Sequence, residues 1–513
     1  MTPWCAKVCG APLAILSLLA ACGGGDNSEN TDPLASMQWH LTGTHEGQAT
    51  VHIDALGLDV SGHGVTVALI DDGLDIDHPD LRDGVLDFNI SYLPRGLAFD
   101  DAPHGTAAAG LIAARQGNGL GGRGVAPGAN LVAYSVLRAP AMANFADALL
   151  RDAHRVDVYN NSWGDFSGWG VPLPLHPYIE AALRAGTRSG RGGKGAVYVF
   201  SAGNGAQAGW GGLPADNVNW SGLVNNPWTV VVCAVDHQGR HAPYSERGAT
   251  LTVCAPSSGA GLGTATSAGI VTTDVSGDRG YNDGRPGGRD LADNHSTQRF
   301  GGTSAAAPMV AGVVALVLEA NPNLGWRDVK AILASSALRT DEAHADWSRN
   351  GAGLWVNHTY GFGLVQARAA VALAREWTNL PEPALITLSS ERRVDISDNG
   401  NVASDSLHIN SDELVEFVEI EVDIPSHPRL SDLEIVLVAP SGTRSVLAEL
   451  HHQQFEEFRL RQWRFGSARH LGERSAGEWR LELRDRRPGQ VGTLLGWKLR
   501  LHVAPGRGRL AAD

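Results

Sequence analysis

Gly301-Gly302-Thr303-Ser304-Ala305-Ala306-Ala307-Pro308, running on into Met309-Val310-Ala311-Gly312-Val313-Val314-Ala315-Leu316-Val317-Leu318, sets a serine at the start of an almost wholly apolar helix. A helix that is apolar all round has to be buried. Its first turn then offers unpaired backbone N–H groups and the positive end of the helix dipole beside Ser304, where a developing oxyanion is stabilised. A serine in this place can equally be an ordinary helix cap. That reading predicts no matching histidine and aspartate elsewhere, and both are present.

Upstream, Ala68-Leu69-Ile70-Asp71-Asp72-Gly73 ends an apolar run on a carboxylate just before a glycine turn. Burying a carboxylate is costly unless it meets a donor, so Asp71 needs a partner. Alone, a strand-end aspartate often only caps a turn. His104-Gly105-Thr106 opens a helix of small residues, Ala107-Ala108-Ala109-Gly110, able to approach a sheet closely and aim an imidazole at such an aspartate. Ser201-Ala202-Gly203-Asn204-Gly205 ends another apolar run with a side-chain amide, a candidate second donor to an oxyanion, although Asn-Gly is equally a turn.

Around these motifs, apolar runs such as Val65-Thr66-Val67-Ala68-Leu69-Ile70, Leu131-Val132-Ala133-Tyr134-Ser135-Val136, Ala196-Val197-Tyr198-Val199-Phe200 and Trp228-Thr229-Val230-Val231-Val232 alternate with helical stretches. This predicts an α/β domain, a parallel sheet covered by helices on both faces, with its site at the carboxyl ends of the strands. Past Trp377, Pro381 and Pro383 break the helix, and short alternating strands follow, separated by turn signals such as Ser397-Asp398-Asn399-Gly400 and Pro440-Ser441-Gly442. A separate all-β domain is expected there. A chain of 513 residues with 43% hydrophobic, 19% charged and 63 glycine residues suits two globular units rather than a fibrous or disordered protein. Its net charge of −14 argues against nucleic acid as a partner, since phosphate-binding proteins carry a basic patch.

At the N-terminus Lys7 is the sole charge before an apolar stretch over 11–21, too short to span a bilayer, and Leu19-Ala20-Ala21-Cys22 ends it on small residues before a cysteine. This resembles the lipobox of bacterial lipoproteins, which implies a signal over 1–22 ending at Cys22, acylation of Cys22 as the mature N-terminus and a lipid bilayer as partner; an ordinary cleaved signal is the alternative. The polar run over 23–30 suits a flexible tether, assigned to 23–37. With no aspartate at position 23, resemblance to lipoprotein sorting points to the outer membrane. Of the remaining cysteines in the folded part, Cys233 and Cys254 could form a bridge or stay two buried thiols.

The order Asp, His, Asn, Ser in these glycine contexts resembles the subtilisin-like serine peptidases, and within them the kexin and furin branch. Further carrying residues are the glycine-rich stretch over 186–195, Ile270-Val271-Thr272-Thr273-Asp274 and Leu318-Glu319-Ala320-Asn321-Pro322. The second domain, through Ser431-Asp432-Leu433-Glu434-Ile435-Val436-Leu437, Pro440-Ser441-Gly442-Thr443 and Gly477-Glu478-Trp479, resembles the P-domain of that branch, a β jelly roll. The expected division is catalytic domain 38–378, P-domain 379–505 and tail 506–513.

The resemblance implies peptide-bond hydrolysis of protein or peptide substrates through an acyl-enzyme. Ser304 is the nucleophile, His104 the general base and then acid, Asp71 its orienting partner, and Asn204 an oxyanion donor. Ser162, Trp163 and Gly164 pair with the substrate backbone. No cofactor enters the chemistry. A binding protein on a dead peptidase scaffold is the competing class, but such relatives lose a triad member and this chain keeps all three.

The loop over 115–122 matches the family's calcium loop in length, implying a structural calcium held by Asp80, the Asn118 side chain and the carbonyls of Arg115, Leu120 and Gly122, with Gln48 as a weaker candidate. The interval from Cys22 to Gln38 leaves no room for the family's long folding propeptide, so either the P-domain or a separate helper is expected to assist folding. For substrate choice, Asp72 and Asp101 match acids that contact the penultimate side chain, and Glu246 and Asp165 could charge the main pocket. Ser221 falls where the family has the pocket's key aspartate, unless Asp216 fills that place. The segment Phe166-Ser167-Gly168-Trp169 is shortened, and Arg138-Ala139-Pro140-Ala141 lies where relatives carry acids for a more distant basic residue. The expectation is an endopeptidase broader than a strict dibasic processing enzyme.

Overall fold

The computed structural model describes residues 32–93, 99–165, 168–208, 213–259, 268–285, 290–398, 400–455 and 458–510. Cys22 with the export signal, and Phe166-Ser167, lie outside the described residues. The N-terminal unit is a seven-stranded parallel sheet. In chain order its strands are β1 (Thr66–Asp71), β2 (Ile90–Ser91), β3 (Asn130–Ser135), β4 (Val158–Asn161), β5 (Val197–Ser201), β6 (Thr229–Val235) and β7 (Val253–Pro256). In space they run β2-β3-β1-β4-β5-β6-β7. The order reverses beside β1, the kind of switch point where α/β sheets place their sites.

Both faces of the sheet are covered, as their side chains show. Val67, Leu69, Leu131, Ala133, Val197 and Val199 enter one core, while their neighbours Ala68, Ile70, Val132, Tyr134, Tyr198 and Phe200 enter the other. Successive strand residues point to opposite faces, so the inner positions of these strands are apolar on both sides. The first core is closed by α1 (Pro103–Ala113) and by the helices Thr303–Ala320 and Ala367–Glu376; the second by Met142–Leu150 and Pro177–Ser189. Thr303–Ala320 is long and apolar enough to cross a membrane, but 83% of it is buried inside the protein, and it is the core helix of this domain. Cys233 and Cys254 stand in register on β6 and β7 and form a disulfide, resolving the alternative left open by the sequence.

After Pro383 the chain forms two four-stranded antiparallel sheets packed face to face. One runs Ala384–Ser390, Gly496–Ala504, Leu414–Ile424, Leu460–Ser467; the other Ala403–Ile409, Gly477–Asp485, Leu433–Val438, Arg444–Ala448. Alternate residues such as Val418, Ile420, Val422 and Leu481, Leu483 fill the space between them. Trp220 and Ala249 of the first domain belong to this same core. These segments are tied to the strand Leu460–Ser467 and its exit: the Asn219 side-chain amide donates to the Gly466 carbonyl at 2.8 Å, and the Ala468 N–H to the Ala249 carbonyl at 2.9 Å.

Candidate active site

Asp71 ends β1 with its side chain fully enclosed, and its Oδ1 accepts from the Asp72 N–H at 2.8 Å and lies 2.8 Å from His104 Nδ1. His104 stands in the first turn of α1, where Pro103 supplies a preset φ and gives up an N–H that had no partner anyway. Asp72 caps this helix from outside, accepting from the N–H groups of His104 at 3.3 Å and Gly105 at 2.8 Å. The approach is close enough that a Cβ on Gly105 would stand 2.1 Å from the Gly73 carbonyl oxygen. From the other side, Thr272 and Thr273 donate through their hydroxyls to the Ala107 and Thr106 carbonyls, both at 2.7 Å, and Phe300 meets the imidazole edge-on at 5.4 Å between centroids. The ring is thereby fixed in place and remains about one quarter exposed.

Ser304 is the second residue of its helix, behind Gly302, whose φ of 73° is left-handed and suits glycine. Pro308 in the same helix has no N–H, so the Ser304 carbonyl lacks its usual partner four residues on. Ser162, just past β4, supplies one, its hydroxyl donating to the Ser304 carbonyl at 3.1 Å, while the Ser304 hydroxyl donates back to the Ser162 carbonyl at 3.1 Å. The nucleophile candidate thus rests on a backbone acceptor at the end of β4 and makes no hydrogen bond to His104 in this conformation. Asn204 lies across from the same turn: its Oδ1 accepts from the N–H and the hydroxyl of Thr303, both at 2.9 Å. With the oxygen held, its NH₂ is the group left to donate. Of the Ser162-Trp163-Gly164 segment, Trp163 packs its ring on Phe145 and Phe200, whereas a Cβ on Gly164 would meet only open space.

A pocket beside this turn is lined by Gly164, Asp165, Asp216, Trp220, Ser221 and Glu246. Asp216 therefore shares it with Ser221. The Ser221 hydroxyl donates to Asp165 Oδ2 at 2.5 Å, Asp216 accepts from the N–H groups of Gly168 and Gly170, and Glu246 accepts from Gly205 N–H at 3.1 Å. Burial raises the pKa of all three acids, that of Glu246 far above the usual range, and the neighbouring carboxylates push it further. Of the two acids matched to the penultimate residue, Asp72 is committed to capping α1, and burial with the Asp71 charge raises its pKa to about 7. Asp101 is half-exposed and faces Arg279 at 4.0 Å, while Arg138 donates to the Asp101 carbonyl at 2.8 Å.

On the far side of α1, Asp80 accepts from the Asn118 amide at 2.8 Å, and its other oxygen is buried without a partner. Burial, with the Asp32 charge adding to it, raises the Asp80 pKa to about 7 despite that hydrogen bond. Asp32, which the sequence reading missed, accepts from the N–H groups of Gly117 and Asn118 in the same loop at 2.8 and 3.1 Å. An acidic residue just before the proline that leads into the first helical turns was its only signal. Gly121 faces the free Asp80 oxygen so closely that a Cβ there would come within 2.5 Å of it. Asp80, Asp32 and the Asn118 side chain thus meet at this loop, and oxygen donors of this kind suit a hard cation. Gln48 sits exposed in a two-residue strand paired with Thr44–His45 and makes no hydrogen bond to the loop.

A parallel α/β sheet that gathers an aspartate, a histidine and a serine at its carboxyl edge defines the class of serine peptidases built on the subtilisin fold. The chain belongs to the subtilase family, whose sequence model matches residues 62–363, and the model of the proprotein convertase P-domain matches residues 415–501. It is 32% identical over 487 residues to protease KEX1 of Kluyveromyces lactis, covering 92% of this chain and 60% of that protein. To proprotein convertase subtilisin/kexin type 7 of Mus musculus it is 33% identical over 493 residues, covering 92% and 61%. The chain thus spans about 60% of the length of these curated relatives. Among solved structures it resembles the serine protease of Aeromonas sobria, with a TM-score of 0.83, 27% identity and coverage of 96% of this chain and 100% of that one. The same protease in its complex with the chaperone ORF2 gives 0.84, 28%, 93% and 96%.

Burial opposes a charge on His104, but the Asp71 charge and hydrogen bond outweigh it and raise the imidazole pKa to about 9. Because the folded pKa lies above the ordinary value of 6.5, the pair contributes stability that is fully present below pH 6.5 and lost as pH rises through about 9. In a nitrogen-15 NMR titration His104 should lose its proton near pH 9. In Asp71→Asn, which keeps only the weaker pull of Asp72 against burial, that loss should move to clearly lower pH.

Proposed function

We propose that this chain is an endopeptidase that cleaves protein substrates through an acyl-enzyme. The observation that carries the reading is the Asp71–His104 contact of 2.8 Å, set at the same sheet edge as Ser304 and Asn204. The neutral form of His104, the minor one below about pH 9, takes the Ser304 proton as Oγ attacks the carbonyl carbon and returns it to the leaving amine; water then repeats the cycle on the ester. Asp71 holds the ring and offsets its positive charge. The Asn204 NH₂ and the Ser304 N–H receive the oxyanion. Before attack the Ser304 hydroxyl has to leave the Ser162 carbonyl, which frees that carbonyl for a substrate N–H.

Specificity is broader than for strictly dibasic cleavage. Ser221 replaces one carboxylate, Asp216 is already engaged by two backbone N–H groups, and Glu246 is kept largely uncharged by burial. The pocket accepts a basic side chain without requiring one, and Asp72 and Asp101 tolerate a basic penultimate residue. Ser304→Ala should abolish turnover while leaving the fold intact, and Asn204→Ala should cost roughly 10²-fold to 10³-fold in kcat. Profiling with a mixed peptide library should give a dispersed pattern before the scissile bond; an absolute requirement for paired basic residues would overturn the specificity reading.

A structural calcium ion is proposed at Asp32, Asp80, Asn118 and the carbonyls of Arg115, Leu120 and Gly122, where its charge would meet the unpartnered Asp80 oxygen. Asp80 must release its proton to bind the ion, so calcium should raise the melting temperature of chelator-stripped protein more at pH 8 than at pH 5. Asp80→Asn should remove most of that gain.

A separate folding helper is proposed by analogy with the Aeromonas sobria protease, whose structure is recorded with a chaperone. The enzyme is further proposed to be exported and lipid-anchored through Cys22, at the outer membrane. Cys22→Ser should release it from the membrane fraction or stall its processing; normal cofractionation at the mature size would exclude that anchor.

A further inference from the structure

The primary pocket is walled by the first domain, yet its two inner acids are held from the second. Glu449 follows the β-domain strand Arg444–Ala448 and reaches across the domain boundary. Its Oε1 accepts from Asn217 Nδ2 at 3.0 Å and Arg247 Nε at 2.9 Å and lies 3.2 Å from His358 Nε2, while its Oε2 accepts from Arg247 NH2 at 2.8 Å. Asn217 is the neighbour of Asp216, and Arg247 is the neighbour of Glu246. One β-domain carboxylate therefore clamps the two backbone segments that carry the pocket's acids.

The next residues extend the clamp. His451 Nε2 lies 3.0 Å from the Gly170 carbonyl, His452 N–H donates to the Pro214 carbonyl at 2.8 Å, and Gln454 N–H donates to the Trp169 carbonyl at 3.0 Å. Gly170 is the residue whose own N–H binds Asp216. Behind the acids, Trp220 faces the pocket from within the β-domain core, its ring 5.2 Å from His451 and 5.4 Å from Phe465. Burial opposes ionisation of Glu449, but His358 and Arg247 outweigh it and hold the carboxyl well below the usual range, so its charge stays in place throughout the working pH range.

We propose that Glu449 of the β-domain is a positioning residue for substrate selection, setting the spacing of Asp216 and Glu246 across the primary pocket. This rests on the reading of that pocket as the one that takes the residue before the scissile bond. Shifts of about 1 Å in such groups change discrimination strongly, since each buried polar contact is worth a large factor in kcat/KM.

The test compares kcat/KM for two peptides that differ only in Arg or Leu before the scissile bond. It uses Glu449→Gln, which loses the charge, and Glu449→Asp, which keeps the charge opposite Arg247 but withdraws from Asn217 and is the milder change if the first variant does not fold. The expected result is a change of roughly tenfold in the Arg/Leu ratio, mostly through KM, with unchanged labelling by a small fluorophosphonate that does not fill the pocket. Glu416→Gln is the control: it breaks another ion pair between the domains, in which Arg327 Nε donates to Glu416 at 2.7 Å, away from the pocket, and should lower the melting temperature without moving the ratio. Asp165→Asn tests the pocket itself. If it leaves the ratio unchanged, the pocket reading fails and the inference with it. If it moves the ratio while folded Glu449 variants do not, or if Glu416→Gln moves it equally, the pocket reading stands and the role of Glu449 is overturned.

Discussion

A carboxylate with no exposed surface ends an interior strand of the sheet, and much of the catalytic domain can be understood as what it takes to keep Asp71 there. An unpaired buried charge costs several kcal/mol, so a donor has to come to it rather than the reverse. That donor, His104, is rigid only if its helix begins within hydrogen-bonding reach of the strand end, and a helix can come so close only if its first turn is small. Gly105 and the alanines after it meet that demand on the sheet side, and Thr272 and Thr273 grip the same turns from outside. Asp72 completes the arrangement by covering the N–H groups that Pro103 and the helix start leave open.

The same logic of unpaired backbone groups explains the serine. A proline inside a buried helix normally costs stability because it strips a carbonyl of its donor. Here the stripped carbonyl belongs to Ser304, and it is repaired by Ser162 from β4. The repair fixes the distance between the end of β4 and the start of the core helix. A defect in one element thus sets the register of two.

The strands, the burial of the core helix and the gathering of Asp71, His104 and Ser304 at one sheet edge were legible because each is written locally: in runs of apolar residues, in small residues where elements must touch, in a serine ahead of an apolar helix. What was not legible depends on pairs distant in sequence. The disulfide needs Cys233 and Cys254 to fall opposite each other on neighbouring strands, which two apolar contexts cannot say. Asp32 looks like any polar residue of a tether until the loop over 115–122 folds onto it. That Trp220 would lie in the core of the other domain could not be seen either, since apolar character says that a side chain is buried and not by which domain. Ser221 and Asp216 seemed to compete for one place, yet a pocket wall is long enough to carry both.

Counting acids in that pocket gives little information about the charge it offers, because each carboxylate is already in a different state. Asp216 spends its oxygens on Gly168 and Gly170, Asp165 accepts from Ser221, and Glu246 is buried beside both and resists ionisation. Asp72 is likewise committed, its carboxylate capping the start of α1. An acid that already has donors gains less from a guanidinium than a bare one does, because the cation displaces hydrogen bonds and still pays for its own desolvation. The charge felt by a substrate is therefore a property of the hydrogen-bond network around the pocket, and part of that network is held by residues of the β-domain.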